Sequence, residues 1–129
     1  MTDAQSHYGF TFVSDPYGSC VVQATSDPPI SFTFVVTLPR WAPYAGAPAS
    51  TVSWWIDELD HVAWHEAHHV SIYRSSLPAL NNAVANDGCA SLESDLTEIF
   101  ATVNQQNCLF DLKEYGYALG MTTDDCASG

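Results

Sequence analysis

Basic side chains are scarce in this sequence. Its 129 residues include three Lys and Arg against fifteen Asp and Glu, which gives a formal net charge of −12 at pH 7. Such a chain has no cationic surface with which to neutralise phosphates, so nucleic acid and anionic membrane surfaces are excluded as partners. Long apolar runs are missing too, because the longest, residues 32–38, contains threonines and is far shorter than the roughly 20 residues that span a bilayer. Membrane insertion is therefore not expected.

The first residues carry neither a basic region nor an apolar stretch, so they do not form a secretory leader. Four cysteines, a single lysine and 12% aromatic residues are nevertheless typical of an extracellular protein. We therefore expect a secreted protein from which the leader has been removed, and a cytosolic protein with four buried thiols is the alternative. Hydrophobic residues make up 47% of the sequence, which is enough to build the core of one domain over residues 1–129.

Strand patterns dominate the beginning of the sequence. Three segments, residues 9–13, 20–25 and 30–38, are rich in β-branched and aromatic residues and are separated by turn-forming Asp, Pro and Gly. Their short connections predict a small antiparallel sheet of about three strands, which ends at Pro39. A loop over residues 43–49 is expected to follow the sheet.

The rest of the sequence has helical periodicity. A first helix begins at Ser50 or Ser53, runs to about Arg74, and is bent or restarted at Pro78. An Asn-Asp-Gly turn ends this region, and a further helix is predicted over residues 91–104. The expected fold class is therefore α+β, with the small sheet followed by two to three packed helices.

The most informative segment is the motif His65-Glu66-x-x-His69 within the first helix. Residues at i and i+4 share one face of a helix, so both imidazoles can reach a single cation, and zinc takes such nitrogens at about 2.0–2.1 Å. Glu66 projects about 100° further round the helix, which places its carboxylate beside the metal, where it can accept a proton from a water molecule. The motif predicts a Zn²⁺ site, and a surface helix with several histidines is the alternative.

Two further histidines on this helix are not predicted as ligands. His61 lies about 12 Å from His69 by the rise of a straight helix, so one ion cannot bind both of them together with His65. We expect His61 at the rim of the site or as an outer hydrogen-bond donor, while His68 points about 60° away from the metal face. The third protein ligand must therefore come from elsewhere in the chain. Carboxylates in suitable segments are Glu93, Asp95, Asp111 and Glu114.

Several short features follow one another in a specific order between residues 20 and 116. They are a cysteine before a strand, a Leu-Pro-x-Trp element, a tryptophan that opens the motif helix, a second cysteine, and an aromatic-Asp motif that ends in glycine. The positions in this sequence are Cys20, residues 38–41, Trp54 or Trp55, residues 65–69, Cys89, residues 110–111 and Gly116. This order resembles the family of short, secreted zinc-dependent proteases that has been described as a domain of unknown function.

The resemblance implies a zincin-like fold in which His65 and His69 hold Zn²⁺. The sequence departs from the family pattern at the last motif, where Glu114 and Tyr115 stand in place of a threonine and a histidine. If that histidine is the third ligand in relatives, Asp111 or Glu114 replaces it here, or the site is degenerate. The resemblance favours Asp111, which stands at a motif position, whereas Glu93 rests only on helix geometry.

The expected function is that of a zinc metallopeptidase acting on protein or peptide substrates. Zinc would lower the pKa of a water molecule to about 7, and Glu66 would accept its proton as the water attacks a peptide carbonyl. Tyr115 is a candidate donor to the oxyanion. The alternative is a non-catalytic secreted binding, effector or assembly protein with a structural or degenerate metal site. In either case the acidic domain would attract basic peptides.

The four cysteines allow three disulfide pairings. A continuous helix would hold Cys89 and Cys108 on the order of 25 Å apart, whereas a disulfide needs Cα atoms about 4.4–6.8 Å apart. That excludes the pairing of Cys89 with Cys108 and of Cys20 with Cys126, unless the helix breaks. Of the other two pairings, the resemblance implies Cys20–Cys89 with Cys108–Cys126, because Cys20 and Cys89 match the family's own cysteines. Cys20–Cys108 with Cys89–Cys126 is the alternative.

Overall fold

The computed structural model describes residues 1–41 and 46–127. The elements are strands β1 (Thr2–Tyr8), β2 (Phe10–Ser14), β3 (Cys20–Ala24) and β4 (Ile30–Val36), and helices α1 (Ala49–Ser75), α2 (Leu77–Asn86) and α3 (Cys89–Asp111). A π-helical turn at Leu112–Gly116 and two 3₁₀ turns at Tyr117–Leu119 and Thr123–Cys126 follow α3. The fold class is α+β, as predicted. Part of the predicted loop over residues 43–49 lies outside the described residues, and α1 begins at its last position.

The four strands form two antiparallel pairs rather than the predicted sheet of three strands. β1 pairs with β4, and β2 pairs with β3, so that the two small sheets follow one another along a single ribbon. The sequence prediction was wrong because it missed β1. The half-buried positions of β1 are Thr2, Ala4 and Ser6, which are small or polar, so its two-residue period carries no apolar signal.

Gly9 joins the two sheets at a point where the backbone passes very close to the connection between β3 and β4. Its N–H donates to the carbonyl of Pro29 at 2.6 Å, and its carbonyl accepts from the N–H of Thr25 at 2.7 Å. A Cβ at this position would lie 1.7 Å from Oγ and 2.7 Å from Cβ of Ser26. The ribbon therefore needs glycine here for space.

Gly9→Ala is expected to lower the free energy of unfolding by about 1–3 kcal/mol, the usual cost of forcing an extra carbon into packed structure. The measurement is urea unfolding followed by tryptophan fluorescence. Gly46→Ala is the matched control, because a Cβ at Gly46 meets no atom of the described residues within 4 Å. Equal stability of the two variants would contradict the close approach at Gly9.

The apolar core lies between the ribbon, α2 and α3. Its buried members are Ile30, Leu80, Ala83, Val84, Leu92 and Leu96. Asn81 fixes the ribbon to α2, since its Oδ1 accepts from the N–H of Ile30 at 2.8 Å and its Nδ2 donates to the carbonyl of Ile30 at 3.1 Å. The core is thus built mainly on α2 and α3, and the motif segment of α1 lies beside it.

Two helices differ from their predicted bounds. α1 begins at Ala49 with Pro48 preceding it, so Ser50 lies within the helix instead of capping it. α3 begins at Cys89 and continues to Asp111, seven residues beyond the predicted end at Asn104. The polar run over residues 104–107 hid this continuation, because it interrupts the apolar stripe on which the prediction depended.

Two disulfides pair Cys20 with Cys89 and Cys108 with Cys126, at Cα–Cα distances of 6.1 and 5.7 Å. This is the pairing that the family resemblance implied. The first bridge ties β3 to the start of α3, and the second ties the final 3₁₀ turn to the end of α3. Two disulfides fit an extracellular protein, because such bonds persist in oxidising compartments. Among the described helices, none is long and apolar enough to cross a membrane.

Candidate metal centre

Three side chains from two helices converge on one point. Oδ1 of Asp111 lies 2.8 Å from Nε2 of His65 and 2.7 Å from Nε2 of His69, and the two nitrogens are 3.1 Å apart. Within residues 1–41 and 46–127, these three form the only group of three or more His, Cys, Asp or Glu side chains that could hold one metal ion. The i, i+4 spacing on α1 explains why the two imidazoles lie side by side. The last turns of α3, which the sequence did not predict, bring Asp111 to them.

The other candidate ligands lie elsewhere. Glu93 lines a groove between the ribbon and α3, next to Phe10 and Phe100. Glu114 is directed to His61, with 3.8 Å between its Oε2 and the Nε2 of that histidine. Neither glutamate belongs to the converging group. The position that the resemblance favoured, Asp111, is the one that the structure places beside the two histidines.

Aromatic rings surround the two imidazoles, which are almost fully buried with 4% of His65 and 8% of His69 exposed. The ring of Phe110 stacks on that of His65 at 4.6 Å between centroids and on that of His68 at 4.0 Å. His68 is exposed and lies outside the converging group, in agreement with its predicted position away from the ligand face. The apolar surroundings also orient His65, whose Nδ1 is buried and has no hydrogen-bond partner among the described residues.

Glu66 lines the same cleft but its carboxylate is held by the start of the chain. Oε2 accepts a hydrogen bond of 2.5 Å from the hydroxyl of Thr2, and Oε1 lies 3.0 Å from the amino group of Met1. Burial raises the pKa of Glu66, but the hydrogen bonds from Thr2 and the amino group and the charges of that group and His69 together lower it below its ordinary value. Glu66 is therefore ionised at neutral pH and can accept a proton.

Tyr115 lies in the π-helical turn, with its ring centroid 4.9 Å from that of His65. Burial raises the pKa of its phenol, and nearby carboxylates raise it further. The carboxylates concerned are Glu114, Glu66, Asp111 and Glu58. The phenol therefore keeps its proton at neutral pH and is a hydrogen-bond donor.

The cleft around these side chains has a volume of about 180 Å³. Its lining includes the three converging side chains, Glu66, Asn107 and the first two residues of the chain. The side chain of Asp111 is 56% exposed, so the cleft opens to solvent on the side of α3. An open side of this kind leaves room for a further ligand at the centre.

Sequence reasoning missed four residues that line the cleft, which are Met1, Thr2, Tyr73 and Asn107. Asn107 lies one helical turn before Asp111, and its Oδ1 is 2.7 Å from Nδ1 of His69. The i, i+4 spacing of Asn107 and Asp111 is visible in the sequence, but it carries information only if α3 extends to Asp111. No local pattern indicates that Thr2 contacts Glu66.

The sequence matches the family described as bacterial protein of unknown function (DUF922) over residues 1–115. The matched region contains every residue of the cleft described above and ends at Tyr115. No curated protein and no solved structure matches the chain. Because the match covers far more than half of its length, the chain belongs to the DUF922 family of bacterial proteins.

Proposed function

We propose that this protein is a secreted zinc metallopeptidase, with His65, His69 and Asp111 as zinc ligands. The observation that carries the proposal is the convergence of one carboxylate oxygen on two imidazole Nε2 atoms, all within 3.1 Å of one another. Nitrogen and carboxylate donors are those that zinc prefers in catalytic sites, where three protein ligands leave one position open. The two disulfides support the extracellular location.

The spacing of the donor atoms suits this ion. Tetrahedral zinc with ligands at about 2.0–2.1 Å needs donor atoms about 3.3–3.4 Å apart. The present separations of 2.7–3.1 Å are slightly smaller, so binding requires small outward movements of side chains that already face one another. Asp111, the most exposed of the three, has room to make such a movement.

Zinc in this site would polarise the substrate carbonyl and acidify a water molecule. Glu66 acts as the general base, taking the proton of the attacking water and passing it to the leaving amine. A carboxylate has about four acceptor positions, and Thr2 and the amino group of Met1 occupy two of them. Tyr115 keeps its proton and donates to the carbonyl oxygen as negative charge develops there.

The substrate class proposed is an extended peptide or unstructured protein with basic side chains. The chain has a net charge of −12, and a strongly acidic protein raises the local concentration of cationic ligands. This attraction weakens as salt is added, because exposed charges more than a Debye length apart are screened. Cleavage of a lysine-rich substrate is therefore proposed to be faster at low ionic strength.

A second candidate function is a non-catalytic secreted protein that binds a partner and uses the metal for structure. The contact of Thr2 with Glu66 favours it, because the hydroxyl of Thr2 occupies one oxygen of the proposed base. The two functions predict different coordination of the metal ion. A catalytic zinc keeps an open position, whereas a structural zinc is closed by four protein ligands.

The test is a cleavage assay with a lysine-rich unstructured protein, combined with metal analysis by mass spectrometry. We expect about one zinc per chain and hydrolysis that stops on addition of a chelator and returns when zinc is added back. Zinc binding without hydrolysis would support the non-catalytic function. A wild-type protein that binds no zinc at neutral pH would overturn both.

A further inference from the structure

Asn107 is half-buried on α3 and faces the ligand His69 from the side opposite to the converging atoms. Its Nδ2 donates to the carbonyl of Val103 at 3.0 Å, one helical turn earlier. That bond settles which end of the amide carries the oxygen, and it directs Oδ1 to Nδ1 of His69 at 2.7 Å. The amide is therefore held in one orientation, with an acceptor aimed at the imidazole.

An amide oxygen can only accept a hydrogen bond, so the contact requires a proton on Nδ1 of His69. A neutral imidazole has one ring proton, and Nε2 is then left with a free lone pair. Nε2 is the atom that faces Oδ1 of Asp111 at 2.7 Å. Nε2 of His69 and Oδ1 of Asp111 are then both acceptors, and they attract each other at this distance only when a cation or a proton lies between them. Nε2 is therefore oriented to bind a metal ion.

The position of the ring proton on His65 differs from that on His69. Nδ1 of His65 is buried without a hydrogen-bond partner among the described residues, while its Nε2 lies 2.8 Å from Oδ1 of Asp111. In the metal-free protein the ring proton of His65 is therefore best placed on Nε2, where it can donate to Asp111. Metal binding has to displace that proton from His65, whereas His69 needs no such change.

We infer that Asn107 is a positioning residue that selects Nε2 of His69 as the metal-binding nitrogen. The inference rests on the proposed function only in taking a metal as the ligand of this site. Hydrogen-bond partners that orient a ligating histidine typically contribute a factor of about 10–100 in metal affinity. Asn107 performs this role from α3, the helix that also supplies Asp111, so that a single helix end both contributes a ligand and orients another.

The experiment uses the full chain with ¹⁵N-labelled histidine. In alkaline buffer without metal, NMR should show His69 with its proton on Nδ1 in the wild type and on Nε2 in Asn107→Leu, where Asp111 is the remaining acceptor. Zinc affinity, measured by competition with a chelating dye, should fall about 10–100-fold in Asn107→Leu. Asn107→Asp keeps an acceptor oxygen, so it should retain the wild-type tautomer and bind zinc at least as tightly as the wild type.

Asn104→Leu is the matched control, because Asn104 is exposed on the same helix one turn earlier. It should leave both the tautomer and the zinc affinity unchanged. An Nδ1 proton that persists in Asn107→Leu would overturn the inference, as would zinc binding of wild-type strength in that variant. A wild type that binds no zinc would instead overturn the proposed function, and the tautomer measured without metal would still decide whether Asn107 fixes the ring proton of His69 on Nδ1.

Discussion

Replacing Glu66 by glutamine is expected to reduce peptide hydrolysis by a factor of about 10²–10⁴ while zinc stays bound. An amide has nearly the same shape as the carboxylate and can still accept the hydrogen bond from Thr2, but it cannot take a proton from water. The measurement pairs the rate of cleavage of an unstructured protein with the zinc content of the same sample.

Glu93→Gln is the matched control for this experiment. Glu93 is exposed on α3 and lines the groove next to Phe10, so the change removes the same charge away from the cleft. Its activity should stay within a few-fold of the wild type. Full activity in Glu66→Gln would remove Glu66 from the role of general base, and loss of zinc in that variant would show that Glu66 acts on the metal centre itself.

His69→Ala is expected to weaken zinc binding by more than the roughly 10–100-fold that loss of an outer hydrogen bond costs. The substitution removes one of three donor atoms and leaves Asp111 with a single imidazole partner. Zinc content after dialysis against a weak chelator measures the effect. Hydrolysis should disappear with the metal.

His68→Ala separates this effect from a general loss of histidine in the helix. His68 is exposed and stacks on Phe110, but its ring takes no part in the converging group. The variant should therefore keep zinc affinity within a few-fold of the wild type. Equal losses in the His68 and His69 variants would contradict the proposed ligand set and point to unspecific binding by the helix.

The helical half of the fold and the two histidines could be predicted from the sequence, because both depend on local periodicity. His65 and His69 are one turn apart on a helix, so no other part of the chain is needed to bring them together. Asp111 is different, since its distance from α1 depends on where α3 ends and how α3 packs. The order of motifs indicated this residue, whereas the apolar stripe of α3 ended at Val103 and gave no reason to extend the helix beyond Asn104.

The parts that could not be predicted depend on contacts between polar segments distant in sequence. β1 lacks an apolar pattern because its half-buried positions are Thr2, Ala4 and Ser6, and its pairing with β4 closes a loop of more than twenty residues. The contact of Thr2 with Glu66 follows from that pairing. Asn107 was missed for a similar reason, since an asparagine in a polar run resembles any other solvent-facing residue until its partner is known.

All four cysteines lie outside α1, so neither disulfide cross-links the longest of the described helices. A metal held by His65, His69 and Asp111 would act as a third cross-link, which joins α1 to the end of α3 across more than forty residues of chain. Chelation and chemical reduction would then release different parts of the molecule. A reductant would free β3 and the final turn from α3, whereas a chelator would release the link between α1 and the end of α3, so the two treatments would test different cross-links of the fold.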